Sequence, residues 1–133
     1  MNLDSLLPEL RCAINAAQDK KASQVILLDL TGLGAFTNYF LLCTGFSSRQ
    51  VVTIGEEIER QLDTFGLKLL HREGRGESEW VLLDYGSFLV HIFTERARHY
   101  YDLERLWRSA NRIVIPDLEP PLSQPMEQGA AQA

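Results

Sequence analysis

Residues 79–107, EWVLLDYGSFLVHIFTERARHYYDLERLW, constrain the fold more than any other stretch, because they combine a hairpin signal, more than half of the aromatics and a dense polar cluster. Two apolar runs, 79–84 and 87–93, flank Tyr85-Gly86, and glycine at the second loop position permits the positive φ of a tight hairpin turn. With Asp84 paired to Ser87, Leu83 falls opposite Phe88, Leu82 opposite Leu89, Val81 opposite Val90 and Trp80 opposite His91. Side chains alternate between faces. One face then carries Val81, Leu83, Phe88, Val90 and Ile92 and reads as core. The other carries Trp80, Leu82, Asp84, Ser87, Leu89, His91 and Phe93, an apolar and polar mixture that suits either a protein partner or a covering helix of the same domain.

Thr94 is a candidate N-cap for a segment containing Arg96, Arg98, His99, Tyr100, Tyr101, Asp102, Glu104 and Arg105 and running to Trp107. Arg108 and Arg112 add to the basic side, while Asp102 and Glu104 are interleaved. The spacing predicts a solvated, ion-paired helix. With 133 residues the chain accommodates one domain with a real core. Its net charge of −5 disfavours unaided nucleic-acid binding, which rewards a basic surface.

Upstream, apolar positions Leu6, Leu7, Leu10, Ala13, Ile14 and Ala17 follow helical spacing, with Ser5 as candidate N-cap, Pro8 in the first turn, and Lys20 and Lys21 suited to the C-terminal end. Residues 25–30 (VILLDL) and 39–44 read as buried strands joined by TGLGAFTN. Ser47 and Gln50 then fit a capping box, and Val51, Ile54, Ile58, Leu62 and Phe65 form an apolar stripe that Gly66 ends. Residues 67–71 resume strand character, and 73–77 form a loop into the hairpin. The order α-β-β-α-β-β-β-α predicts an α/β (α+β) domain: a mixed sheet of about five strands with flanking helices. The domain spans residues 1–115, and the proline-rich segment 116–133 has too little apolar surface to order itself.

Chemistry is sparsely signalled. Cys12 and Cys43 lie far apart inside apolar segments, as reduced thiols of a cytoplasmic protein would, and Cys43 reads as an inert packed thiol. His71, His91 and His99 lack zinc spacing, and His91 reads as an interface or hydrogen-bonding residue. Glu73 reads as solvent-exposed. Gly45-Phe46-Ser47-Ser48 at a helix start offers backbone donors to a phosphate, but no acidic pair at one-residue spacing follows to hold divalent metals. Asp29 and Asp84 stand at separate strand ends. No enzyme, cofactor or metal is expected. There is neither a secretory signal nor a run approaching a membrane span.

The runs WVLLDYG and VHIFTERARHYYDLERLW, with LDLTGLGAFTNYFLLCTGFSSRQV and REGRGESEW upstream, resemble the signature of the ribosomal silencing factor (Iojap-like) family across residues 10–113. Where that pattern has T-D-Y-F, this chain has Thr37-Asn38-Tyr39-Phe40, which removes a carboxylate but keeps a group able to hydrogen-bond locally. The resemblance implies a nucleotidyltransferase-like topology and docking on the fourteenth protein of the large ribosomal subunit, with steric exclusion of the small subunit. The expected partner-binding set is Trp80, Leu82, Asp84, Leu89, His91, Arg98 and Tyr101. The family's oligomerisation label adds a homodimer as an expectation. The alternative is a degenerate nucleotidyltransferase that keeps a nucleotide at residues 45–48.

Overall fold

The computed structural model describes residues 7–74 and 76–117. A six-stranded mixed sheet in the order β3-β4-β5-β2-β1-β6 forms its centre. The elements are α1 (Pro8–Asp19), β1 (Ser23–Asp29), β2 (Tyr39–Gly45), α2 (Ser48–Phe65), β3 (His71–Glu73), β4 (Trp80–Asp84), β5 (Phe88–Thr94), α3 (Glu95–Tyr101), α4 (Leu103–Leu106) and β6 (Asn111–Val114). Strands β2 and β5 are parallel and the other neighbours antiparallel. No helix among the described residues is long and apolar enough to cross a membrane.

The expected mixed α/β class holds, with one strand more than predicted. The extra strand, β6, pairs with β1 through Ile26 with Val114 and Leu28 with Arg112. Its sequence, NRIV, is short and lies on the sheet edge, where only one side has to be paired, so it carries no long apolar run to announce it. After it, Ile115 is buried and the Pro116 carbonyl accepts from Gln18 Nε2 at 2.8 Å. The start of the expected tail is therefore attached to α1, and the remainder, 118–133, lies outside the described residues.

The hairpin is shifted from the expected register by two residues. Trp80 faces Phe93, Val81 faces Ile92, Leu82 faces His91, Leu83 faces Val90 and Asp84 faces Leu89. The loop is Gly86-Ser87 rather than Tyr85-Gly86: Gly86 takes φ +89, the Tyr85 N–H donates to the Phe88 carbonyl at 3.0 Å, and the Asp84 carboxylate accepts from the Gly86 N–H at 2.8 Å. A hairpin with glycine first in its two-residue loop is as favourable as one with glycine second. Because the shift is even, every side chain keeps its face.

On one face, α1 and α2 cover a continuous core of Leu10, Ala13, Ile14, Val51, Ile54, Ile58 and Leu62 against Leu27, Leu41, Val81, Leu83, Phe88, Val90 and Ile92. Gly55 permits the close approach, since a Cβ there would stand 3.2 Å from Val81 Cγ1. The predicted caps of α2 are present: Ser47 Oγ accepts from the Gln50 N–H at 3.1 Å, and Gly66 is left-handed. Helix α1 begins at Pro8 with Leu7 as its N-cap, and the expected cap Ser5 lies outside the described residues. Strand β3 starts at His71, four residues later than expected, because only 71–73 pair with β4, while Leu67 and Leu69 pack on the core without joining the ladder.

The opposite face buries Ile26, Leu28, Leu30, Phe40, Leu42, Leu89, Phe93 and Ala97, with Trp80, Leu82, Leu103 and Trp107 only partly covered. Thr94 caps α3 as expected, accepting from the Ala97 N–H at 3.2 Å. The helix does not continue to Trp107, however. It breaks at Asp102, whose φ of +47 lies in the left-handed region that aspartate tolerates better than most residues.

Candidate partner-binding face

Rings on the thinly covered face form a row that passes from interior to solvent. Phe93 is 1% exposed, and its ring centroid lies 5.1 Å from that of half-buried Trp80. Trp80 is 4.4 Å from Tyr101, which is 47% exposed, and Tyr101 is 5.0 Å from Tyr100, which is 80% exposed. Trp80 Nε1–H donates to His91 Nδ1 at 3.1 Å. The two residues expected to face one another directly are thus diagonal and still joined.

That bond fixes the histidine proton on Nε2. His91 is buried against Phe40, 4.5 Å away edge-on, and burial pushes its pKa down to about 3. The ring is neutral at ordinary pH. Its Nε2 is buried without a hydrogen-bond partner among the described residues.

Of the seven expected contact residues, Trp80, Leu82, Asp84 and Tyr101 reach the surface wholly or in part. Leu89, His91 and Arg98 do not, since each is about 5% exposed or less. Arg98 is the sharpest correction to the solvated helix that its charge pattern predicted. Its Nε and Nη2 bind the Glu104 carboxylate at 3.0 and 3.1 Å, and its Nη1 donates to Thr44 Oγ1 and the Gln24 carbonyl, both at 2.9 Å. Gln24 sits at an irregularity of β1 with φ +50, a local feature that strand patterning does not predict. Burial raises the Glu104 carboxyl, but the hydrogen bonds and charge of Arg98, with Arg112 beyond, outweigh it and hold the pKa below the usual carboxylate range. Arg98 therefore ties α3 to the sheet and is not free to meet a partner.

The sequence reading also missed Tyr100 and Leu106, both strongly exposed apolar side chains beside this face. Tyr100 could have been found from helical spacing, because it falls outside the Ala97–Tyr101 stripe that meets the sheet. Asn38, where the family pattern has aspartate, is exposed; its backbone N–H donates to the Ser87 carbonyl at 3.0 Å and its carbonyl accepts from the Leu30 N–H at 2.8 Å. Glu73, as expected, is exposed, and it pairs with His71.

The other candidate chemistry is dispersed or already occupied. Asp29 and Asp84 stand at one end of the sheet but on β1 and β4, three strand spacings or about 14 Å apart. Each binds its own turn, Asp29 through Thr31 and Asp84 through Gly86. At the start of α2, the Phe46 and Gln50 N–H groups are taken by Gln50 Oε1 and Ser47 Oγ, and a Cβ on Gly45 would lie 3.0 Å from the Val51 nitrogen. Cys43 is buried in β2, and burial pushes its thiol up to about 12. Among the described residues no group of three or more His, Cys, Asp or Glu is placed to hold a metal.

Comparison with known proteins agrees with this architecture. The ribosomal silencing factor of Bacillus subtilis is 41% identical over 110 residues, covering 83% of this chain and 91% of that protein. The chloroplastic protein Iojap of Zea mays is 31% identical over 104 residues, covering 76% of this chain and 44% of that longer protein. A crystal structure of a Chromobacterium violaceum protein superposes with a TM-score of 0.73 at 30% identity, covering 99% of this chain and 98% of that one. A Bacillus halodurans structure gives a TM-score of 0.67 at 40% identity, covering 74% of this chain and 91% of that one. The family model described as "ribosomal silencing factor during starvation" matches residues 4–133, and the chain belongs to that family.

Proposed function

We propose that this protein silences translation in the cytoplasm by docking on the large ribosomal subunit through its fourteenth protein and sterically excluding the small subunit. The observation that carries this reading is the half-covered sheet face, where Trp80, Leu82 and Tyr101 leave an apolar surface beside Asp84 in a chain of the silencing factor family. Such a surface, apolar at the centre with polar groups at its rim, has the composition of a protein interface. The net charge of −5 favours a basic ribosomal protein over bare RNA.

Retention of a nucleotide at residues 45–48 is the weaker reading. Two of the N–H groups at this helix start, those of Phe46 and Gln50, already donate to Gln50 Oε1 and Ser47 Oγ, and the backbone and side chain of Val51 stand close over Gly45. Self-association through the thin face would compete with docking, since both would cover the same side chains.

Co-sedimentation with isolated large subunits, followed by addition of small subunits, tests the proposal. The protein should travel with the large subunit and reduce the yield of joined ribosomes in proportion to its occupancy. Joining that proceeds normally with the protein bound would exclude the steric mechanism, and a melting temperature raised by nucleotide with magnesium would revive the other reading.

A further inference from the structure

Tyr101 is shared between the aromatic row and a neighbouring cleft of about 360 Å3, lined by Glu79, Arg96, Ala97, Tyr100 and Tyr101. The two tyrosine rings meet at 89° with centroids 5.0 Å apart. Aromatic ring faces attract cations, so tyrosines that share a cleft with a carboxylate suit a cation better than an anion.

Glu79 is a fixed anion in this cleft. Its backbone carbonyl accepts from the Thr94 N–H and its Oε1 from Thr94 Oγ1, both at 2.9 Å, so the side chain is anchored to the cap of α3. Hydrogen bonds from Arg96 and Thr94 hold its carboxyl below the usual range. Arg96 is the movable partner: its side chain is 82% exposed, and it grips both Glu79 oxygens, with Nε 3.1 Å from Oε1 and Nη2 on Oε2. An exposed pair of this kind is held weakly. Its geometry nevertheless demonstrates that Glu79 accepts a planar guanidinium in the two-pronged manner that an ammonium cannot reproduce.

We propose that this cleft receives the guanidinium of an arginine on a basic protein partner, which replaces Arg96 on Glu79 and lies against Tyr100 and Tyr101. The proposal rests on the reading of the adjoining face as the docking surface and adds to it a specific charged contact. A phosphate is disfavoured as occupant because Glu77 and Glu95 flank the cleft in sequence, both exposed, in a chain that is acidic overall.

The test uses the full 133-residue chain and two probes. In the first arm, acetyl-arginine amide is titrated while backbone amide resonances are followed by NMR, with acetyl-citrulline amide, which has the same shape without the charge, as control. Arginine amide should give saturable shifts confined to Glu79, Arg96, Tyr100 and Tyr101, and the citrulline analogue none. Glu79→Gln should weaken the interaction about tenfold, and Tyr100→Ala, at an exposed position that leaves the fold intact, about threefold. Arg96→Ala should strengthen it about threefold, because it vacates the carboxylate. That sign is decisive: weakening on Arg96→Ala, or tighter binding of inorganic phosphate than of arginine amide, makes the cleft an anion site and overturns the proposal.

In the second arm, the same variants are co-sedimented with isolated large subunits and should rank in the same order. Equal binding by wild type, Glu79→Gln and Arg96→Ala removes the arginine contact while leaving the docking face standing. Failure of the wild type to bind subunits removes the docking face and with it the partner assigned to the cleft. Melting curves of each variant exclude loss of fold as the cause of either result.

Discussion

The two faces of the sheet are built from similar apolar strand residues and are covered very differently. Helices of 12 and 18 residues, α1 and α2, lie over one face and close Leu27, Leu41, Val81, Leu83, Phe88, Val90 and Ile92 of the sheet from solvent. Over the other face lie the 7-residue α3, the 4-residue α4 and the segment that follows, which leave Trp80 and Leu82 partly covered and Tyr101 exposed. The helical face is closed by apolar packing together with an ion pair from Arg72 of β3 to Glu59 of α2, whereas on the thin face Arg98 and Glu104 fasten short helices over a surface that stays partly open. Side chains closed on the thick face serve the fold, whereas the partly covered ones of the thin face remain accessible.

The largest effect should come from the thick face. Val81→Asp buries a carboxylate among aliphatics with no partner, at a site 0% exposed and pressed against Gly55 of α2. The cost is about 4 kcal/mol or more, comparable to the whole stability of a small domain. Circular dichroism should find this variant unfolded at 25 °C. A cooperative melt near that of the wild type would mean that the helical face is looser than its packing implies.

Arg98→Met tests the fastening of the thin face. Removing the guanidinium leaves Thr44 Oγ1 and the Gln24 carbonyl without this donor and the Glu104 carboxylate with only the more exposed Arg112 as cation partner. Breaking one side of a buried pair costs about 3–5 kcal/mol. Chemical denaturation should record a loss of that size, with α3 losing hydrogen-exchange protection before α2. Uniform loss of protection would mean that the two faces unfold as one unit and that the Arg98–Glu104 pair does not hold the thin face separately.

Much of this division is legible in the sequence, for a simple geometric reason. The hairpin register differs from the expected one by two residues, yet the alternation 81, 83 against 80, 82 survives any even shift, so the sequence still identifies the core face. Helix α2 was legible because cap, stripe and stop agree in one local segment. What escaped were features decided at long range. Arg98 looks like one of several surface arginines until β1 bends at Gln24, 74 residues away, and offers it a carbonyl. Strand β6 exists because β1 has a free edge, and NRIV alone does not signal it. The break at Asp102 likewise depends on one backbone conformation, which the charge pattern of the segment does not signal.

His91 gives the comparison a dependence on pH. Its folded pKa, pushed down to about 3 by burial, lies below the ordinary histidine value near 6.5, so below about pH 6.5 the unfolded chain takes up a proton that the folded chain refuses. Stability from this group is complete above that pH and declines as pH falls toward 3. Between pH 6.5 and 4 the decline is on the order of 3 kcal/mol. His91→Gln keeps an acceptor for Trp80 and does not titrate. Melting measured across this range should fall less steeply in the variant than in the wild type, and parallel slopes would show that His91 is reached by solvent and protonates in place.

Trp80→Ala should produce the smallest change in stability and the most informative one. Trp80 is held by Phe93, Tyr101 and the hydrogen bond to His91, but it is only partly covered, so truncation should cost about 1–2 kcal/mol and leave a folded chain. Its effect on docking should be larger, because an aromatic anchor at the centre of an interface contributes about 2 kcal/mol or more when desolvated by a partner. Binding to large subunits and inhibition of joining should fall together, since one contact would produce both. If Trp80→Ala melts out as Val81→Asp does, the thin face is as structural as the thick one. If it folds, binds weakly and still blocks joining fully at matched occupancy, Trp80 is an anchor but exclusion is exerted elsewhere on the molecule. If it folds and binds like the wild type, the row from Phe93 to Tyr100 is not the docking surface, and the exposed apolar side chain at Leu106 becomes the next position to vary.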